Sequence, residues 1–110
     1  MKQYVVDQLR PEDYDNLKEH LDKKYGESRV GGLYWIPLDM EFLGDVQAAH
    51  TDCQPFYFAI ELETTRLSCE LLIRTLERMR CDCIRYADQR QTMGIITFVD
   101  QMCDELGVEA

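Results

Sequence analysis

Two short motifs, His50-x2-Cys53 and Cys81-x-Cys83, hold the side chains of this sequence that are best suited to bind a metal ion. Zinc in proteins prefers four thiolate or imidazole ligands in a tetrahedron, and the two motifs supply three thiols and one imidazole. In a shared site each ligand atom would lie about 2.0–2.3 Å from the metal, so the four atoms should converge to within about 4 Å of one another. The sequence therefore offers His50, Cys53, Cys81 and Cys83 as a candidate zinc site.

The same cysteines have a simpler interpretation. Cys81 and Cys83 fall on the predicted core face of a strand, where a free cysteine behaves as a small hydrophobic residue. The paired C-x2-C motifs that usually mark a zinc site do not occur in the sequence. The alternative to a zinc site is thus a pair of core cysteines, with His50 in solvent and no cofactor.

Patterns typical of enzymes are largely missing. The sequence has no G-x-S-x-G motif, no H-E-x-x-H motif and no phosphate-binding glycine-rich loop followed by lysine. Cys53 lies three residues after His50 and could act as a thiol nucleophile activated by the imidazole. Proximity in a loop is poor evidence for the geometry of a catalytic pair. We therefore predict no catalytic residue and no enzymatic activity, with a cysteine-nucleophile enzyme as an alternative.

The elements that must position these residues include a predicted three-stranded meander. Alternating apolar residues predict strands over residues 56–63 and 66–75, and a tight Thr64-Thr65 turn would pair Leu62 with Leu67 and Phe58 with Leu71. Such a pairing keeps the apolar residues of both strands on one face of the sheet.

The third strand of the meander is predicted over residues 79–86. A three-residue loop before it would place Ile73 opposite Cys81 and Leu71 opposite Cys83. Because Phe56 would also oppose Ile73, the loop that carries His50 and Cys53 should lie at the same end of the sheet as Cys81. The remaining gap is about two strand spacings, roughly 10 Å, which a loop can cross.

The rest of the chain alternates between short strands and amphipathic helices. We predict strands at residues 3–9 and 33–36, a helix from Pro11 to a stop at Gly26, a short helix over 39–49, and a final helix that begins after Asp88 and ends at Gly107. The order strand-helix-strand-short helix-three-strand meander-helix predicts an α+β domain over residues 1–110, with a mainly antiparallel sheet and helices packed on one face. The predicted core comprises Phe56, Phe58, Ile60, Leu62, Leu67, Leu71, Ile73, Ile96, Val99 and Leu106.

Length and charge restrict the possible partners. The 110 residues suit one domain, and 45% hydrophobic residues can build a core. Twelve basic residues against 21 acidic ones give a net charge of −9, which repels nucleic-acid backbones and anionic membranes. We expect no secretory signal, because Asp7 interrupts the apolar start, and no membrane span. An odd number of five cysteines then favours reduced thiols in the cytoplasm.

Against this acidic background, residues 66–90 carry six arginines and four acidic residues, a local charge of +2. Several of these arginines should share the outer sheet face with tyrosines and aliphatic residues, a composition that protein interfaces favour. An ordinary solvated face with cross-strand pairs such as Arg74 with Asp82 is the alternative. The predicted interface comprises Tyr57, Arg66, Leu72, Arg74, Arg80, Ile84 and Tyr86. The leading hypothesis is a small acidic interaction domain that binds a partner protein or itself, and the alternative is a structural zinc-binding domain.

Overall fold

The computed structural model describes residues 2–28 and 31–108. Within those residues the chain forms three helices and six strands, and two single 3₁₀ turns, Met40–Phe42 and Thr51–Cys53, flank the second helix. The helices are α1 (Pro11–Tyr25), α2 (Asp45–Ala49) and α3 (Gln89–Glu105). The strands are β1 (Gln3–Val6), β2 (Leu33–Pro37), β3 (Phe56–Leu62), β4 (Leu67–Glu70), β5 (Leu72–Thr75) and β6 (Arg85–Tyr86). The predicted α+β class is confirmed, with an antiparallel sheet and helices on one side of it.

Strand β3 lies at the centre of the sheet. It pairs with β2 along one edge and with β4 and then β5 along the other, while β1 extends the sheet beyond β4 and β6 extends it beyond β5. The predicted pairing of Leu62 with Leu67 is confirmed, and the amide of Glu63 donates to the carbonyl of Arg66 at 2.8 Å. The predicted pairing of Phe58 with Leu71 does not form, because Leu71 lies between β4 and β5. In the parts of the chain that the structure describes, no helix has both the length and the apolar character that a membrane span requires.

The predicted strand over residues 66–75 is interrupted at Leu71. Ile60 opposes Cys69 before the break, but Phe56 opposes Thr75 after it, not Ile73 as predicted. The backbone of Leu71 instead donates to the carbonyl of Lys2 and accepts from the amide of Ala87. The register shift of two residues preserves the alternation of faces, so Ile73 stays buried. Leu71 itself is half-buried and not a full core residue.

The prediction of a third meander strand over residues 79–86 is wrong for most of these residues. Only Arg85 and Tyr86 pair with β5, so Ile73 opposes Arg85 and not Cys81. The predicted pairing of Leu71 with Cys83 is lost for the same reason. The one residue between Cys81 and Cys83 is Asp82, and aspartate is common in turns because its carboxylate can accept from backbone amides close in sequence.

Helix α1 begins as predicted at Pro11, with a cap supplied from inside the helix. Arg10 precedes the helix and has no oxygen in its side chain, but its backbone amide donates to the carboxylate of Asp13 at 2.9 Å. The Arg10 guanidinium donates to the same carboxylate at 2.8 Å. Leu17 and Leu21 then bury the apolar face of the helix.

Helix α3 has both predicted ends. Asp88 accepts from the amide of Gln91 at 2.8 Å, and the Gln91 side chain accepts from the amide of Asp88 at 3.0 Å, which is a reciprocal capping box. At the other end Gly107 has a φ of 69°, and the amide of Val108 donates to the carbonyl of Cys103 at 2.8 Å.

The predicted core is largely confirmed. Ile96 and Leu106 prove half-buried, because each lies at the margin of the apolar stripe of α3. The predicted core residues that are fully buried are Phe56, Phe58, Ile60, Leu62, Leu67, Ile73 and Val99.

Candidate metal centre

His50 and Cys53 are positioned by the chain between α2 and β3. The single helix predicted over residues 39–49 is wrong, because the backbone is extended at Leu43 and Gly44 and only α2 is α-helical. Directly after α2 the amide of Cys53 donates to the carbonyl of His50 at 3.0 Å, closing a 3₁₀ turn. Residues three apart lie on the same side of such a turn, so the imidazole and the thiol project together.

Cys81 and Cys83 lie in a tight turn and not in the predicted strand. The amide of Ile84 donates to the carbonyl of Cys81 at 3.1 Å and closes the turn. The amide of Cys83 also donates to the sulfur of Cys81. The turn therefore brings the two side chains to one side and already supplies a hydrogen-bond donor to one of the sulfurs.

The two turns meet, and all four candidate ligand atoms lie within 4.8 Å of one another. Nδ1 of His50 lies 3.1 Å from the sulfur of Cys81. A tetrahedral zinc site needs adjacent ligand atoms about 3.3–3.8 Å apart, so the group is slightly wider than a metal-bound site. We call these four residues, His50, Cys53, Cys81 and Cys83, the cysteine–histidine cluster.

The cluster lies at the margin of the core. Cys53 is 1% exposed and Cys83 is 0% exposed, whereas His50 and Cys81 are half-buried. The interpretation that puts both Cys81 and Cys83 in the apolar core therefore fits Cys83 but not Cys81. The predicted position of His50 in open solvent, part of the same interpretation, does not fit the half-buried ring.

Electrostatics within the cluster differ from one sulfur to the next. The amide of Cys83 holds the pKa of the Cys81 thiol below its usual range, assisted by the neighbouring thiols and His50. Burial, with help from Cys81 and Cys53, raises the pKa of the Cys83 thiol to about 12. The arrangement therefore favours negative charge at its exposed edge, while three adjacent thiolates need a cation to offset their mutual repulsion.

Two charged residues surround the exposed side of the cluster. Nε2 of His50 faces the carboxylate of Asp82 at 3.6 Å, which leaves Nδ1 directed towards the sulfur of Cys81. Metal-binding histidines commonly have such a carboxylate on their second ring nitrogen. The guanidinium of Arg78 pairs with Asp52 at 2.7 Å and also donates to the sulfur of Cys53. A cation is thus placed beside one of the buried thiols.

Buried polar side chains hold the backbone of the cluster from the inside. Gln47 donates to the carbonyl of Cys83 at 3.2 Å, and Gln91 donates to Gln47 at 2.9 Å. The hydroxyl of Thr75 donates to the carbonyl of Cys53 at 2.6 Å. The sequence motifs did not identify Gln47 or Thr75. The signal for Gln47 was its place beside the apolar stripe of α2, and the signal for Thr75 was that it continues the inward-facing alternation of β5.

The residues of the predicted interface do not form one continuous face. Tyr57, Leu72, Arg74 and Tyr86 occupy the sheet face opposite the buried residues. Arg66 lies in the β3–β4 turn and pairs with Glu63, while Arg80 lies in the loop before β6. Arg74 pairs with Glu70 at 3.0 Å and not with Asp82. Ile84 joins Trp35 and Met79 around a hollow beside this face.

The chain was compared with protein-family models, with curated proteins and with solved structures, and none of them matches it. Its function must therefore be inferred from the geometry and chemistry of the cysteine–histidine cluster and of the exposed surfaces.

Proposed function

We propose that this protein is a small cytoplasmic domain whose fold is stabilised by one zinc ion bound to the cysteine–histidine cluster. The observation that carries the proposal is the convergence of four soft or borderline ligand atoms within 4.8 Å. These atoms come from two separate turns, at residues 50–53 and 81–84. Thiolates and imidazole together favour zinc over magnesium or calcium, which prefer oxygen ligands.

A structural role suits this ligand set better than a catalytic one. Catalytic zinc sites usually keep one position open for water or substrate, whereas here protein side chains could fill all four positions. The surroundings support the same assignment. Asp82 faces the outer nitrogen of His50, Arg78 approaches Cys53, and Gln47 fixes the backbone of Cys83. Such partners orient the ligands and offset the charge of three thiolates.

The bound ion would stabilise a part of the chain that has little regular structure. Residues 76–84 connect β5 to β6 with turns and bends, and Met79 in this segment is 98% exposed. A zinc ion shared with Cys53 would tie this connection to the α2–β3 segment. Because the complete site exists only in the folded chain, the free energy of zinc binding would add to the free energy of unfolding.

The direct test is elemental analysis of untagged protein purified without chelator. We expect about one zinc ion per chain, and a chelator should lower the melting temperature. Cys81→Ser should reduce the zinc content and remove the effect of the chelator. Cys69→Ala, which changes a buried cysteine outside the cluster, is the matched control and should keep both properties. The proposal would be refuted if the protein contains no zinc and its melting temperature does not change when zinc or chelator is added.

The same preparation separates a zinc site from a cysteine nucleophile. Zinc bound to the cluster should protect Cys81 from iodoacetamide, and removal of the metal should expose it, because its side chain is half-buried beside His50. Rapid alkylation of Cys81 in metal-free protein, with zinc unable to slow it, would favour the enzyme alternative.

Exposed apolar surface favours a second candidate function, the binding of a partner protein or of a second copy of this chain. Leu72 and Tyr86 oppose each other on the outer sheet face. Met79 is 98% exposed and lines a hollow together with Arg74 of the same face. Patches of this kind mark interaction sites. Tyr86→Ser should leave the melting temperature nearly unchanged but weaken association in sedimentation experiments, because Tyr86 is exposed, and Asp15→Asn on α1 is the control. Loss of the fold in Tyr86→Ser would contradict an interface role.

A further inference from the structure

We infer that a peroxide oxidises the cysteine–histidine cluster to a disulfide between Cys53 and Cys81, and that this disulfide expels the metal. The inference rests on the proposed zinc site, and it adds a redox-sensitive form of that site.

Solvent exposure determines which sulfur of the cluster is oxidised first. Cys81 is half-buried, whereas Cys53 and Cys83 are 1% and 0% exposed. A small oxidant therefore reaches the sulfur of Cys81 before the other two. The remaining cysteines, Cys69 and Cys103, are buried outside the cluster. Oxidation should accordingly begin at Cys81, with two further sulfurs already within 4.8 Å.

The backbone selects Cys53 as the second partner. Cys83 is two residues from Cys81 in the same tight turn, where its amide donates to the sulfur of Cys81 and its carbonyl accepts from Gln47. A disulfide needs sulfurs about 2.05 Å apart with a torsion near 90°, and joining Cys81 to Cys83 would distort this turn. Cys53 lies in a different turn, and its sulfur is within 4.8 Å of the sulfur of Cys81.

The chemistry balances with hydrogen peroxide as the oxidant. The Cys81 thiolate attacks one peroxide oxygen, an S–O bond forms, the O–O bond breaks, and hydroxide leaves with two electrons taken from sulfur. The Cys53 thiolate then attacks the sulfenic sulfur, an S–S bond forms, the S–O bond breaks, and a second hydroxide leaves. Two thiolates and one peroxide thus give one disulfide and two hydroxides, which take up protons to become water.

Loss of two thiolates removes half of the ligand set. Only His50 and Cys83 would remain, and two ligands are too few for the tetrahedral coordination of a structural zinc ion. Oxidation and metal release should therefore occur together, at about one zinc ion per disulfide. A thiol reductant with added zinc should restore the original form.

The test uses the whole zinc-loaded protein, treated with hydrogen peroxide and followed by a chromogenic zinc chelator and by mass spectrometry of tryptic peptides. Trypsin places Cys53 in peptide 30–66, and Cys81 and Cys83 together in peptide 81–85. We expect these two peptides to become linked as zinc is released. Peptide 81–85 closed on itself, with peptide 30–66 unlinked, would overturn the assignment, as would linked protein that retains its zinc.

Variants and controls identify the sulfurs and separate this inference from the proposed function. Cys83→Ser should keep the linked peptide pair and Cys81→Ser should lose it, each compared with zinc-free parent protein because both changes remove a ligand. Cys103→Ala should behave like the parent protein. Zinc content before peroxide is added reports on the proposed site, whereas the linked peptides report on the disulfide. Zinc-loaded protein that forms no linked pair would refute only the inference drawn here.

Discussion

The imidazole Nε2 of His50 lies 3.6 Å from the carboxylate Oδ1 of Asp82. The other ring nitrogen, Nδ1, faces the sulfur of Cys81, so Nδ1 is the nitrogen directed towards the candidate thiol ligands. The carboxylate belongs to the residue between Cys81 and Cys83, so the turn that carries two ligands also orients a third.

The first prediction concerns this carboxylate. Asp82→Asn should weaken zinc binding about 10-fold, the lower end of the effects typical of such partners, because Asp82 is exposed to solvent. Competition with a chelator of known zinc affinity measures the change. Glu77→Gln, an exposed acidic residue before the turn, is the control and should bind zinc like the parent protein. Equal losses of zinc affinity in the two variants would indicate a general effect of charge and not a specific role of Asp82.

The second prediction concerns the buried amide of Gln47. Gln47→Ala removes the donor to the carbonyl of Cys83 and the acceptor for Gln91, and it should lower the free energy of unfolding by about 1–3 kcal/mol. Urea denaturation of the zinc-bound protein measures this loss. Gln101→Ala, at an exposed position of α3, should change stability by no more than about 0.5 kcal/mol. A Gln47→Ala variant with the same free energy of unfolding as the parent protein would show that the hydrogen bonds of Gln47 do not stabilise the fold.

The third prediction separates a steric clash from backbone strain. Gly31 and Gly32 both have positive φ, at 43° and 79°, so alanine is unfavourable at each. Only at Gly32 would the added Cβ meet backbone, at 2.3 Å from the carbonyl oxygen of Leu62. Gly32→Ala should therefore destabilise the protein by about 1–3 kcal/mol more than Gly31→Ala. Equal midpoints of chemical denaturation in the two variants would contradict a close approach of β2 to the end of β3.

The fourth prediction concerns stability at acid pH. The side chain and amide of Arg10 hold the pKa of Asp13 below its usual range. Because the folded pKa lies below the unfolded value, this contribution is complete above the ordinary carboxyl pKa and is lost as the pH falls through the folded pKa. Asp13→Asn should thus be less stable than the parent protein at neutral pH, and the difference should shrink in acid. Denaturation curves measured from neutral to acid pH test this difference in stability, with Asp15→Asn as the control.

Local patterns in the sequence determined the elements whose stabilising contacts are themselves local. The Thr64-Thr65 turn set the pairing of Leu62 with Leu67, and Asp88 with Gln91 set the start of α3, because each depends on residues close together in the chain. The residue types and spacing of the cysteine–histidine cluster likewise identified the four candidate ligands from the sequence alone.

Only the tertiary structure decided how the parts of the cluster meet. The sequence placed Cys81 near His50 through a pairing with Ile73 that does not form, so the reasoning for their proximity was wrong. Their two turns are instead held by non-local bonds, from Thr75 to the carbonyl of Cys53 and from Gln47 to the carbonyl of Cys83. A break in pairing at one residue costs little locally, but it changes every partner beyond it, and local propensity carries no information about bonds between distant segments.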